Sequence, residues 1–529
     1  MNNNRWRLTI QAFWVLCFLP LASLAQDFAD VDKRVQDAMK TFDVPGVAIA
    51  VVKDDKLIYS KGFGVKNKDK RGKDNQIDSK TLFGVASNTK AFTAAAIAML
   101  VDEGKLNWDD KVVKHLPNFV LYDPYVTAHF TVADLLSHRG GLGLGAGDLL
   151  IWPTTDVSND EIMARMRYIK PASSFRSKYA YNNIMFVVAG ELVAKVSGMG
   201  WHDFVQKRIL NPLSMQDTRM SFSRIESSIS NIAKPHAPVE GKLQTVGGDF
   251  LENFSSAGSM ASNVDDMSKW LRLQLRQGLL EGQKSEDGER LFSAKQHQHM
   301  TTPKTIQSIP DFFTEHYDTN FRAYGLGWGL NDYRGHMLVG HTGGILGMVS
   351  KVVLVPKQNL GLVILTNQQS GSAFNAMAND ILDEVLGLEK RDWVDIFEKR
   401  LNENNKEAEQ KLVKVADISK KSDKRPASLP LKDFAQVYND PWYGDIEVAL
   451  NKDKLEIQFS RTKALVGRLE HYQHNTFIAR WNDRSFDADA FITFQLNEKG
   501  EVSAATMKAV SPKTDFSFDF HDLYLTPKS

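Results

Sequence analysis

One stretch constrains the fold more than any other. From Ala91 to Val101 nearly every residue is apolar or a good helix former, and Asp102-Glu103-Gly104 ends the run. A helix that is apolar on every side is stable only inside a protein, so this one must be surrounded. Directly ahead of it stands Phe83-Gly84-Val85-Ala86-Ser87-Asn88-Thr89-Lys90. Ser87 and Lys90 lie three residues apart and share a helix face. A hydroxyl and an amine are thereby held side by side at the positive end of a buried helix dipole. A serine is a weak nucleophile until a neighbouring base takes its proton. A lysine becomes such a base at neutral pH when burial or a second cation lowers its pKa. The helix N-terminus also offers backbone N–H groups to an oxyanion. Ser-x-x-Lys is short enough to arise by chance, so its partners decide the matter.

At 529 residues the chain exceeds one ordinary domain. Its formal charge of +1 lends no support to nucleic-acid or membrane-surface binding. Arg5 and Arg7 precede an apolar segment, Leu8 to Leu21, and Ser23-Leu24-Ala25 supplies small residues for cleavage. This is the pattern of a secretory signal over residues 1–25, with cleavage after Ala25 and Gln26 as the mature terminus. The mature formal charge would be about −1, and the protein would be periplasmic or secreted. The only cysteine, Cys17, lies within the apolar segment and follows Leu16, where a lipoprotein signal wants a small residue. A mature chain without cysteine has no disulfide, cysteine nucleophile or thiolate metal site. No later stretch is long and apolar enough to span a membrane.

Taken in order, Asp30 to Thr41 reads as an amphipathic helix, and Val47 to Val52 with Leu57 to Gly64 as a hairpin. Leu106 to Phe119 reads as a loop and short helix, and Thr131 to His138 as a capped helix that runs into Arg139-Gly140-Gly141-Leu142. Residues 143–178 are expected to be irregular. Ile184 to Val196 and Ser262 to Arg276 are expected to be helical, the latter capped by Ser262 or Asn263. His336 to His341, Met348 to Val355 and Leu360 to Thr366 read as strands, the first two joined by Thr342 to Gly347, and Ala373 to Leu386 as a closing helix. Helices before and after an antiparallel sheet, with a helical insertion between, make an α/β sandwich of two lobes. The charged stretch Glu398 to Asp423 has weak helical periodicity, and Lys420 to Pro430 reads as a linker. From about Leu431, short strands alternate with turn signals at Gly444-Asp445, Asn451-Lys452-Asp453, Asn482-Asp483 and Asn497 to Gly500, the pattern of a small all-β barrel. The expected division is residues 26–390, a charged helix and linker over 391–430, and a barrel over 431–529.

Two further motifs complete a set with Ser87-x-x-Lys90. Tyr181-Asn182-Asn183 follows about ninety residues on, and His341-Thr342-Gly343 lies far downstream. The set resembles the serine β-lactamases and penicillin-binding proteins, whose motifs are Ser-x-x-Lys, a second polar triplet and a Lys-Thr-Gly strand. The Tyr-x-Asn form is similar to the class C branch, which includes β-lactamases, D-alanyl-D-alanine carboxypeptidases, D-aminopeptidases and esterases. Val44-Pro45-Gly46, Leu100 to Leu106, Asp134 to His138, Tyr324-Gly325-Leu326-Gly327-Trp328 and Gly340 to Gly344 add to the resemblance, which covers roughly residues 30–388.

The resemblance implies acyl-enzyme chemistry without metal or cofactor. Ser87 would attack a carbonyl, with Lys90 helping to deprotonate it. Tyr181, its pKa lowered by the nearby ammonium, would act as base and then return the proton to the leaving group. Asn183 would bind substrate and Lys90, and the N–H groups of Ser87 and Gly344 would form the oxyanion hole. His341, Thr342 and Gly343 would line the substrate site. His341 replaces the lysine usual in β-lactam-cleaving members, and a neutral imidazole holds a carboxylate more weakly. The expected substrate is therefore an ester or a D-amino-acid amide or peptide. The alternatives are a class C β-lactamase, a D-alanyl-D-alanine carboxypeptidase, or a receptor-like protein that is acylated and does not turn over. Residues 431–529 resemble the lipocalin-like barrel appended to some of these hydrolases, with Phe518-Asp519-Phe520 and Leu523-Tyr524-Leu525 as its closing strand. Such a barrel covers the active-site mouth, builds a homo-oligomer, or serves only as a stabilising appendage.

Overall fold

The computed structural model describes residues 28–248, 252–283, 288–420 and 425–528. The expected signal segment lies outside these residues. Helix α1 (Ala29–Thr41) turns Val31, Val35 and Ala38 inward at helical spacing. The hairpin follows as β1 (Gly46–Lys53) and β2 (Lys56–Gly64). Helix α2 (Thr89–Asp102) is the apolar run, and 12 of its 14 residues are buried. Phe92 stacks on Trp270 with ring centroids 3.8 Å apart.

Two short helices start with a reciprocal N-terminal cap. In α3 (Val132–Leu135), shorter than the helix expected to His138, the expected cap takes the form of a reciprocal box between Thr131 and Asp134. Helix α4 (Asn159–Arg165) falls inside the stretch expected to be irregular, and its Ser158 and Glu161 form the same box. Helix α5 (Ile184–Ser197) packs on α2 in the helical lobe, and α6 (Val264–Leu275), capped by Asn263, lies on the sheet.

The sheet has eight strands. After the first hairpin come β3 (Thr305–Ile306), β4 (Arg322–Tyr324), β5 (Gly329–Tyr333), β6 (His336–Ile345), β7 (Met348–Val355) and β8 (Leu360–Thr366). Their order across the sheet is β2-β1-β8-β7-β6-β5-β4-β3. Val47 pairs with Thr366 and Lys53 with Leu360, so the first and last strands of this sheet in chain order lie side by side, second and third from one edge. Strand alternation then sorts the core. Val47, Ile49 and Val51 face the layer made by α1 and α7 (Gly371–Leu386), while Ala48, Ala50 and Val52 face the layer of α2 and α6. The connector expected over Thr342 to Gly347 is mostly strand. β6 pairs with β7 as far as Ile345 and Met348, leaving Leu346-Gly347 as the turn, with Gly347 at φ +74°.

Helix α8 (Trp393–Lys420) takes up most of the charged stretch as 28 continuous residues. Part of the expected linker, 421–424, lies outside the described residues. Beyond it, eight antiparallel strands close into a barrel, from Gln436–Asp440 to Tyr524–Pro527. Its interior is filled by aromatic rings: Phe434 and Phe494 at 5.0 Å, Phe459 and Trp481 at 5.5 Å. Two expectations fail here. Gly444-Asp445 starts a strand rather than a turn, because the chain reverses at residues 441–443. Phe518-Asp519-Phe520 is not part of the closing strand; Phe518 and Phe520 are instead packed as apolar plugs at the barrel end. The barrel docks on residues 145–165, where Arg461 pairs with Asp156 and Glu161. Arg165 donates to Trp442 O at 3.1 Å across the same contact.

Because α2 is enclosed by both lobes, its packing should dominate stability. Phe92→Ala is expected to cost about 3–5 kcal/mol in urea denaturation. A loss below about 1 kcal/mol would contradict the central place given to this helix.

Candidate active site

Every residue from Thr81 to Leu100 is buried except Ser87. Ser87 sits in a tight turn, Ala86–Asn88, that feeds directly into α2. Ala86 holds φ +47°, in the left-handed region, which costs an L-residue roughly 1–2 kcal/mol. The strain is borne where the chain must bend to bring one side chain out of a buried run.

The turn is braced from the sheet. Ser350 on β7 accepts from Asn88 Nδ2 at 2.8 Å and donates to Val85 O at 2.7 Å. Strand β6 passes against it at Gly343, where a Cβ would stand 2.2 Å from Val85 O and 2.5 Å from Ser350 Oγ. Only glycine allows that approach. Gly344, next along and exposed, has room: its Cβ would meet only Val349 Cγ1 at 3.9 Å.

Lys90 has no exposed surface. Its Nζ lies 3.0 Å from Ser87 Oγ, 2.8 Å from Asn183 Oδ1 and 2.9 Å from Ala257 O. Burial pulls its pKa down to about 7, against the opposing pull of the Asp148 charge. In the neutral amine two protons satisfy Asn183 and Ala257, and the lone pair faces Ser87. Asn183 stands at the start of α5, and its Nδ2 donates to Asp148 Oδ2 at 2.7 Å. Asp148 is itself fully buried, and desolvation raises its pKa to about 7.

Tyr181, in the coil ahead of α5, hydrogen-bonds with Ser87, and its ring centroid is 4.9 Å from Lys90 Nζ. Its expected pKa depression does not occur. Burial raises the phenol well above its ordinary value, and the Ser87 hydrogen bond offsets only part of this. The His138 ring packs 4.2 Å from it and accepts from Asn182 N–H at 3.1 Å.

His341 closes the other side, its ring 6.1 Å from that of Tyr181. Its Nδ1–H donates to Thr342 O at 2.6 Å, and Nε2 accepts from the Tyr324 hydroxyl at 2.8 Å. Burial and the Lys90 charge push its pKa down, so the ring is neutral with both nitrogens engaged. Thr342, on the same strand, is exposed at the rim.

Ser87, Lys90, Tyr181, Asn183, His341 and Gly343 thus converge on one place, with Thr342 and Gly344 along its edge. Sequence reasoning missed Asp148, the pairing of Tyr324 with His341, and Phe516 of the barrel, whose ring meets Tyr181 edge-on at 5.8 Å. Asp148 sits in a segment with no motif, and Phe516 belongs to a module for which covering the site's mouth was one expectation but no residue was named. Among the described residues no group of three or more His, Cys, Asp or Glu side chains is placed to hold a metal ion.

Comparison with known proteins agrees with this architecture. The beta-lactamase family model matches residues 31–386, and a model for a domain of unknown function, DUF3471, matches residues 420–527. An unguisins hydrolase, ungD, of Aspergillus violaceofuscus is 27% identical over 82% of this chain and 79% of its own length. Protein flp of Staphylococcus aureus is 26% identical over 64% of this chain and 63% of its own. Two solved structures share the fold: the octameric penicillin-binding protein homologue from Pyrococcus abyssi, 21% identical with TM-score 0.58 over 94% of this chain and 99% of that one, and a class C beta-lactamase, 18% identical with TM-score 0.55 over 70% and 99%.

The two glycines should respond differently. Gly343→Ala is expected to lower stability by about 1–3 kcal/mol as the strand is forced off the turn. Gly344→Ala should change it by less than about 0.5 kcal/mol. Equal losses in thermal denaturation would contradict the close approach at Gly343.

Proposed function

The chain belongs to the beta-lactamase family, and from that premise we propose that it is a serine hydrolase working through an acyl-enzyme on Ser87. The observation that carries this reading is the pairing of the one unburied residue between Thr81 and Leu100 with a fully buried amine 3.0 Å away. Neutral Lys90 takes the Ser87 proton as Oγ attacks the substrate carbonyl carbon. The N–H groups of Ser87 and Gly344 receive the oxyanion. Tyr181, kept protonated by burial, donates toward the leaving group rather than serving as the resting base. The Lys90 ammonium then returns its proton to the Tyr181 phenolate, and the restored amine deprotonates a water that attacks the acyl carbon, Ser87 Oγ leaving with that proton as the acid is released.

The substrate we infer is an ester or a D-amino-acid amide or peptide. β-Lactams and peptides ending in D-alanine carry a carboxylate that asks for a fixed cation. Neutral His341, with one nitrogen given to Thr342 and the other to Tyr324, offers none. The name of the Aspergillus relative, a hydrolase aligned along most of this chain, supports turnover over mere binding. The reading includes export, on the basic and apolar segments of residues 1–25.

Intact-mass spectrometry with short p-nitrophenyl esters, D-alanyl peptides and nitrocefin tests the proposal. Expected are an acyl adduct on Ser87, sustained ester turnover, and ester hydrolysis well ahead of nitrocefin. Ser87→Ala should fold normally and lose turnover; full activity in it would remove the assignment. Tyr181→Phe should lower the rate by roughly a hundredfold. The active amine is the unprotonated one, so kcat/KM should fall as pH drops through the Lys90 pKa of about 7 and hold above it. A profile flat from pH 5 to 9 would contradict that role.

A further inference from the structure

The connection between the last two strands of the barrel, residues 510–523, reaches back into the hydrolase lobe, and its side chains divide between the two. Phe518 and Phe520 point into the barrel end, Phe520 lying 5.7 Å from Trp481 and Phe518 5.7 Å from Phe486. Phe516, Ser517 and Asp519 engage the other lobe. Asp519 is fully buried and accepts from Gly147 N–H at 2.6 Å and Leu149 N–H at 3.0 Å, the two amides that flank Asp148. Ser517 Oγ donates to Asp148 Oδ2 at 2.8 Å. That same oxygen accepts from Asn183, and Asn183 in turn accepts from Lys90. Asp148 Oδ1 has no hydrogen-bond partner among the described residues, so its contacts run through one atom. An unbroken line of hydrogen bonds leads from the barrel to the amine beside the nucleophile.

We propose that Asp148 is a positioning residue for Lys90 and Asn183, and that the barrel, through Ser517 and Asp519, holds it in place as part of the active site. The proposal rests on the acyl-transfer reading above. Without a fixed acceptor at Oδ2, Asn183 is free to rotate its amide and present Nδ2 instead of Oδ1 to Lys90. The carboxylate also favours the lysine ammonium, so it helps set the pH at which Lys90 becomes a base. The ionisable groups that bear on Asp148 are Lys90 on α2, Tyr181 before α5, and Asp515 and Asp519 of the barrel segment. Asp519 and Asp148 disfavour each other's charge, and burial pushes the Asp519 carboxyl well up, so Asp148 is the easier of the two to ionise.

The test is the rate at which a fluorophosphonate probe labels Ser87, followed by intact mass from pH 5 to 9 in the full chain. In Asp148→Asn the loss of the negative charge should move the acid limb to lower pH by about one unit and reduce the plateau roughly tenfold. Ser517→Ala removes the hydrogen bond that favours the Asp148 charge, and should shift the limb in the same direction by less. If Asp148→Asn does not fold, Ser517→Ala decides alone. A limb and plateau within twofold of wild type in folded Ser517→Ala would overturn the proposal. A plateau that falls with the limb unmoved marks a packing role and overturns it as well. Absence of labelling in the wild type would overturn the serine-hydrolase reading, and this inference with it.

Discussion

The structure depends on keeping an amine out of water. Lys90 stands in a helix with 12 of its 14 residues buried, and desolvation works against the charge it would carry on a surface. What remains is a base with its two protons assigned and one lone pair aimed at a hydroxyl. An exposed lysine at the same spacing from a serine would be an ammonium and useless for that purpose. The apolar character of α2, which looks at first like ordinary core, is what makes the chemistry available.

The rest of the molecule holds that arrangement together from three directions. The sheet presses β6 onto the nucleophile turn at Gly343, and Ser350 ties the turn to β7. The helical lobe brings Tyr181 and Asn183 up on the start of α5. The barrel contributes Phe516 and Ser517, anchored by two phenylalanines in its own core. Burial has opposite consequences for the groups it touches. It neutralises Lys90 and His341 and keeps Tyr181 protonated, so the site at rest holds few charges and the proton to be moved is the one on Ser87.

Much of this was legible in the sequence, for physical reasons. The apolar run of α2, the short β-rich apolar runs of β1 and β8, and the Thr131 and Asn263 caps are local patterns that tertiary structure has no cause to override. Ser87, Lys90, Tyr181, Asn183 and His341 could be named because each belongs to a motif with a chemical purpose. The failures are equally instructive. The pKa of Tyr181 was argued from a neighbouring cation, and burial outweighs it because the same burial takes that cation's charge away. Asp148 and Ser517 were invisible because they lie 369 residues apart and neither sits in a pattern. The strand character of Thr342 to Gly344 was masked by glycines whose role is close approach rather than turning. The short strands β3 to β5 carry too few residues to show alternation.

The central claim is that Lys90 is neutral near physiological pH. It is tested most directly by a ¹³C NMR titration of protein with ε-labelled lysine, the Lys90 signal being identified by its absence from Lys90→Met. The account predicts an inflection near pH 7, apart from surface lysines near 10.4. A Lys90 signal that titrates with the surface lysines would contradict it.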